Sequence, residues 1–90
     1  MDRVFERILT SLMPSLRHLA VDRTVDQVKG ARRAIWMSYS GLVNEADRQR
    51  FRDKLRKQAI NEEKKERPEQ EKLFWRDVVQ YVSASLGSKD

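Results

Sequence analysis

Apolar residues recur at helical spacing along the first twenty positions. Val4, Phe5, Ile8, Leu9, Leu12, Met13, Leu16 and Leu19 fill one half of a helical wheel, and Arg3, Glu6, Arg7, Thr10, Arg17 and His18 the other. The pattern predicts a strongly amphipathic first helix. Pro14 falls on its polar side, where the missing N–H and the ring disturb the hydrogen-bond ladder. A kink, or a break into two short helices, is expected there, with the phase of the stripe preserved.

A second helix is predicted to open near Val25, because Thr24 and Gln27 have the spacing of a capping box, and to end at Gly41 and Asn44. Its expected core face is Val25, Val28, Ile35, Trp36, Tyr39, Leu42 and Val43. Asn44 then caps a third helix, with Glu45 and Asp47 in its first turn. Only Phe51, Leu55 and Ala59 make an apolar stripe there, so this helix should lie outermost with most of its circumference wet. Pro68 suits the first position of a last helix whose face is Phe74, Trp75, Val78, Val79, Tyr81, Val82 and Leu86, with Gly87 as C′. The pattern leaves open whether the last two helices are separate or form one kinked rod. The fold class is all-α, a small bundle of about four helices. Ninety residues support one core better than two, so residues 1–90 are read as a single domain.

Composition narrows the chemistry. The chain has no cysteine, which removes disulfides and thiolate sites and fits a cytoplasmic or other reducing compartment. No run reaches the roughly 18 to 20 apolar residues of a membrane span, and Asp2, Arg3, Glu6 and Arg7 interrupt the start too often for a secretory apolar segment. The single histidine, His18, lies on the polar face of the first helix and reads as a solvated residue. Glu62 with Glu66 and Glu69 with Glu71 lack the further ligands of a metal cage, and no Gly-rich phosphate loop or nucleophile elbow is present. Neither an enzyme nor a cofactor is expected. The stretch from Glu62 to Lys72 contains pairs such as Glu63 with Arg67 and Lys65 with Glu69, and reads as solvated helix surface.

Charge is the informative remainder. Nineteen bases against fourteen acids give +5, and the excess is local: Arg23 to Lys57 hold ten bases and four acids, a balance of +6, so the other 55 residues sum to −1. Arg48, Arg52 and Arg56 form one column of the third helix, and Arg50 with Lys54 a second, next to Lys57. Like charges so placed repel by about 0.2 to 0.5 kcal/mol per pair, so helix formation alone does not select them. Carboxylates of another helix or subunit, a polyanion, or plain solvent must face them. Arg32 falls inside the apolar arc of the second helix, so it must snorkel, pair with a carboxylate or face something other than core. With Lys29 and Arg33 it could join the third helix in one positive surface. Gly30, mid-helix, costs about 1 kcal/mol relative to Ala, which the close approach of another helix would explain. Trp36, Tyr39, Phe74, Trp75 and Tyr81 all fall on apolar faces and are assigned to the core rather than to base stacking.

Two functions follow as expectations. The first is a nucleic-acid-binding module, DNA or RNA, that grips phosphates with Lys29, Arg32, Arg33, Arg48, Arg50, Arg52, Lys54, Arg56 and Lys57. It would act by counterion release with little base readout, and a straight basic helix suits a duplex better than a single strand. The second is a protein-interaction module, an adaptor or inhibitor, whose basic helix docks on an acidic partner. Its interface would be the wide apolar face of the first helix, Phe5, Leu9, Leu12, Met13 and Leu16, which the thin third helix is expected to be too small to cover. That face also suggests a homo-oligomer, most simply a homodimer. Binding to a membrane surface through the same helix is disfavoured by the mixed charge of its polar side.

Overall fold

The structure, a computed structural model, describes residues 4–86. Four α-helices follow one another: α1 Val4–Val21, α2 Gln27–Ser40, α3 Glu45–Lys64 and α4 Glu69–Gln80, and α4 runs on into a π-helical turn, Tyr81–Leu86. Among the described residues there is no strand, so the predicted all-α bundle is what forms. Arg3 and the expected helix stop Gly87 lie outside the described residues. The buried apolar side chains of all five elements join in one core.

α1 runs unbroken through Pro14, so two short helices do not form. Pro14 and Thr10, whose carbonyl would have accepted the missing N–H, are both exposed residues on the polar side of the helix. The stripe keeps its phase, and Phe5, Leu9, Leu12, Met13 and Leu16 are at most 5% exposed. These five are therefore core of the single chain and not a spare face for a partner. Three elements cover them, because α2, α3 and α4 all pack on α1. α3 keeps most of its surface wet, yet Phe51, Leu55 and Ala59 are completely buried against α1, α4 and the π-helical turn. A narrow stripe suffices when its neighbours supply Phe74, Trp75, Val78, Val82 and Leu86. The homodimer expected from α1 loses its basis.

α2 departs most from its sequence pattern. Asp26, not Thr24, is its N-cap: the carboxylate accepts the N–H of Lys29 at 3.1 Å. Thr24 instead donates its N–H and hydroxyl to Asp22 at 2.9 and 2.6 Å, which holds the Asp22 carboxyl below the usual carboxylate range. Gln27 donates its side-chain amide to the carbonyls of Leu19 and Ala20, at 2.7 and 3.0 Å, and so closes the end of α1. The buried stripe is Ala31, Ile35 and Tyr39, continued by Leu42 beyond the helix end. Val25, Val28, Trp36 and Val43, expected inside, are exposed at 48, 40, 52 and 94%. The cause is close packing through small residues. A Cβ on Gly30 would lie 3.3 Å from Leu19 Cδ2, so α2 approaches α1 closely there; with Ala31, Ile35 and Tyr39 turned inward, Val28 and Trp36 fall on the outer side.

α3 opens as predicted, with Asn44 Oδ1 accepting the N–H groups of Ala46 and Asp47 at 2.8 and 3.3 Å. It closes at Lys64, and Pro68 stands one residue before α4, so the last two helices are separate. Arg67, restricted to extended backbone by the following proline, lies in the corner between them. The stripe Phe51, Leu55, Ala59 continues to Glu62, which is 4% exposed. Glu62 is thus no surface residue. Its carboxylate accepts from Arg67 at 2.8 Å, and from Arg17 and Lys65 at 3.2 Å each. Because the helix has ended, Glu63 pairs with Arg76 at 2.8 Å and not with Arg67, and the expected pair of Lys65 with Glu69 is replaced by Lys65 with Glu62. Desolvation pushes the Glu62 carboxyl up, but the hydrogen bonds from Lys65 and Arg17 outweigh it and hold it below its ordinary value.

Two measurements test this packing. Phe51→Ala should lower stability by about 3 to 5 kcal/mol in urea unfolding, whereas Val43→Ala should change it by less than about 0.5 kcal/mol. A large loss at Val43 would restore the original face of α2. A carboxyl held below its ordinary value stabilises the fold above its unfolded pKa, about 4.3, and this contribution disappears as pH falls through the lower folded value. Glu62→Gln should therefore cost about 3 kcal/mol at neutral pH, because Arg67 is left without its anion, and the difference from the parent should shrink in acid. A penalty that is equal at pH 7 and pH 3 contradicts this assignment.

Candidate binding surface

Arg48 and Arg52 of the α3 column lean back onto α2, while Arg56 stays exposed. Tyr39 of α2 is buried with its ring centroid 6.0 Å from that of Phe51, and the guanidinium groups of Arg48 and Arg52 lie over it at 5.5 and 5.7 Å. Arg52 also donates to the Tyr39 hydroxyl at 2.6 Å and faces Glu45 at 3.7 Å. Arg48 donates to the Leu42 carbonyl at 2.7 Å, and Arg56 to the Ser83 hydroxyl at 3.1 Å. Each member of the column thus has a partner within the chain, which resolves why like charges could be stacked there.

The second column is looser. Arg50 pairs with Asp47 and Lys54 with Glu6, each at 3.5 Å, with both basic side chains about half exposed. Lys57 joins them along a shallow pocket that includes Phe5, Glu6 and Asp53. Exposed pairs of this kind contribute little and open readily to another anion.

α2 carries a different kind of surface. Lys29, Arg32, Arg33 and Trp36 recur at spacings of three and four, which places them on one helical face. Arg32 donates to Asp77 of α4 at 2.9 Å and lies 5.4 Å from the centre of the Tyr81 ring, so its polar position in an apolar arc is satisfied by a half-exposed ion pair. Burial pushes the Tyr81 phenol above its ordinary value, against the pull of Arg32. Among the described residues, neither Lys29 nor Arg33 has an ion pair. Trp36 is half exposed and touches the Tyr39 ring, centroids 5.9 Å apart. Together with Asp26, Val28 and Tyr81 these side chains line an open cleft of about 600 Å³. Arg32 and Arg56 engage Tyr81 and Ser83 respectively, so bases of α2 and α3 both reach the π-helical turn.

Of the nine bases assigned from sequence, the structure brings Lys29, Arg32 and Arg33 together and ties Arg48, Arg52 and Arg56 down. Trp36 and Tyr81 were missed as surface groups. The available signal was spacing: Trp36 stands three, four and seven residues after Arg33, Arg32 and Lys29. His18 is exposed, with Asp22 3.8 Å away. Among the described residues no three His, Asp or Glu side chains converge on a metal position, and no helix is long and apolar enough to cross a membrane. No family model matches the chain, and neither a curated protein nor a solved structure does.

The two columns of α3 should separate in a stability measurement. Changing Arg48, Arg52 and Arg56 together to Gln should cost about 1 to 3 kcal/mol, since charged hydrogen bonds to Tyr39, Leu42 and Ser83 are lost. The same change at Arg50, Lys54 and Lys57 should stay within about 0.5 kcal/mol. Equal effects would show that the inward contacts of the first column carry no weight.

Proposed function

We propose that this chain is a non-enzymatic binding module for nucleic acid, held through backbone phosphates, and that its contact surface centres on α2. One observation carries this reading: among the described residues Lys29 and Arg33 stand without an ion pair beside a half-exposed tryptophan, on a helix side where Val28 and Trp36 were expected in the core. Free cations release condensed counterions when they meet a polyanion, whereas the paired bases of α3 must first exchange an internal partner. Arg32 keeps donors available after bonding Asp77, since a guanidinium has five N–H groups. Arg50, Lys54 and Lys57 form a secondary basic patch.

A second reading, docking on an acidic protein surface, is favoured by Val28 and Met37, 40 and 62% exposed on the same helix as Trp36. Tryptophan, methionine and arginine are the residues enriched at protein interfaces.

Affinity for labelled RNA and DNA, measured by fluorescence anisotropy at two salt concentrations, tests the first reading. Binding should fall steeply with salt. Lys29→Gln and Arg33→Gln should each weaken it and reduce the slope of log K against log salt by about 0.7 to 0.9. Absence of binding at about 50 mM salt, where such contacts are strong, would sink it and leave the protein partner.

A further inference from the structure

We infer that Trp36 is a stacking platform for an unpaired base, which makes single-stranded nucleic acid the ligand class of this surface; the inference rests on the nucleic-acid reading above. An indole exposed over half its area is an exception in a chain this short, which uses Trp75, completely buried, as core. Trp36 is also fixed from behind. It leans on Tyr39 at an interplanar angle of 39°, and Tyr39 is held by Phe51 and by the hydroxyl bond to Arg52. A ring mounted on buried neighbours loses little freedom on contact with a ligand.

The charges around it match one nucleotide and its neighbours. Along the helix axis Arg33 precedes Trp36 by about 5 Å and Lys29 by about 10 Å, at a rise of about 1.5 Å per residue. A base on the indole thus leaves successive phosphates on one side of it near two cations that have no ion pair among the described residues. The cleft also contains Asp26 and is bordered by Asp77. Asp26 is committed to the N–H of Lys29 and Asp77 to Arg32, so the carboxylates are engaged at the cleft's edges.

A duplex does not fit this arrangement. Its base faces are covered by stacking, so an indole in the open cleft meets only the edges and backbone of a duplex. Extruding a paired base costs a few kcal/mol, whereas a single strand offers its bases freely. Stacking on an aromatic side chain is tolerant of sequence, so the preference should be for strandedness and not for a motif.

The experiment compares three labelled probes by anisotropy at low salt: oligothymidylate of twelve nucleotides, an abasic deoxyribose-phosphate chain of equal length, and a twelve-base-pair duplex. The parent should bind oligothymidylate at least about fivefold more tightly than the abasic chain, the smallest ratio that one stacked base implies. Trp36→Ala should abolish that ratio while leaving abasic binding and the thermal unfolding curve unchanged, and Trp36→Phe should keep most of it. Equal affinity for the abasic chain, or a duplex bound as tightly as the single strand, overturns the stacking platform but leaves phosphate binding standing. Failure to bind any probe overturns both. If Trp36→Ala does not fold, the parent's ratio and the Phe variant decide.

Discussion

Tyr39 ties α2 to α3. Its ring packs on Phe51, its hydroxyl accepts from Arg52, and two guanidinium groups lie over its face. At the other end of α2, Gly30 lies close against Leu19 of α1. A helix gripped on opposite sides, at Gly30 by α1 and at Tyr39 by α3, cannot rotate about its axis, and that fixed rotation decides what the molecule presents to solvent. Trp36, one turn before Tyr39, is carried outward with Arg32 and Arg33. The core thereby loses one large side chain and the surface gains an aromatic group among cations.

The corner between α3 and α4 rests on a different balance. Burying a carboxylate costs several kcal/mol unless its lone pairs are met. Glu62 meets three cations from α1, the end of α3 and the corner itself, and the hydrogen bonds from Lys65 and Arg17 hold its carboxyl below the ordinary value against the desolvation. Arg67 also reaches Glu71 at 3.9 Å, so one side chain joins the end of α3 to the first turn of α4. Pro68 supplies the stop, and the ion cluster supplies the direction in which the chain resumes. Were the cluster absent, the end of the apolar stripe of α3 would expose a single carboxylate and specify no corner.

What was legible in the sequence was local. The stripe of α1, the Asn44 cap and the triplet Phe51, Leu55 and Ala59 each depend on residues a few positions apart, and the structure has them where periodicity puts them. The phase of α2 was misread because hydropathy ranks Val28 and Trp36 above Gly30 and Ala31, while close helix approach ranks them in reverse. Glu62 and Arg32 were illegible for a further reason. Arg17 and Asp77 are each 45 positions from their partners, so no local window contains both ends of either pair, while Lys65 and Arg67, three and five positions from Glu62, were within reach but were read as solvated surface. The basic face of α2 could be read as a charge cluster, but its aromatic centre could not be separated from the core until the rotation of the helix was known.

The same reasoning changes the meaning of the charge excess. A run of bases counts as binding surface only after the chain's own acceptors have been satisfied. Of the ten bases from Arg23 to Lys57, Arg32, Arg48, Arg50, Arg52, Lys54 and Arg56 hold a carboxylate, hydroxyl or carbonyl of the chain itself. Arg23, Lys29, Arg33 and Lys57 are left with no such partner among the described residues. The densest stretch of charge in the sequence is therefore the most internally consumed. Lys29 and Arg33 share one face of one helix, and the residue that continues their spacing is the exposed tryptophan. Cations without an ion pair among the described residues, beside a half-exposed aromatic ring, are what the proposed binding surface rests on.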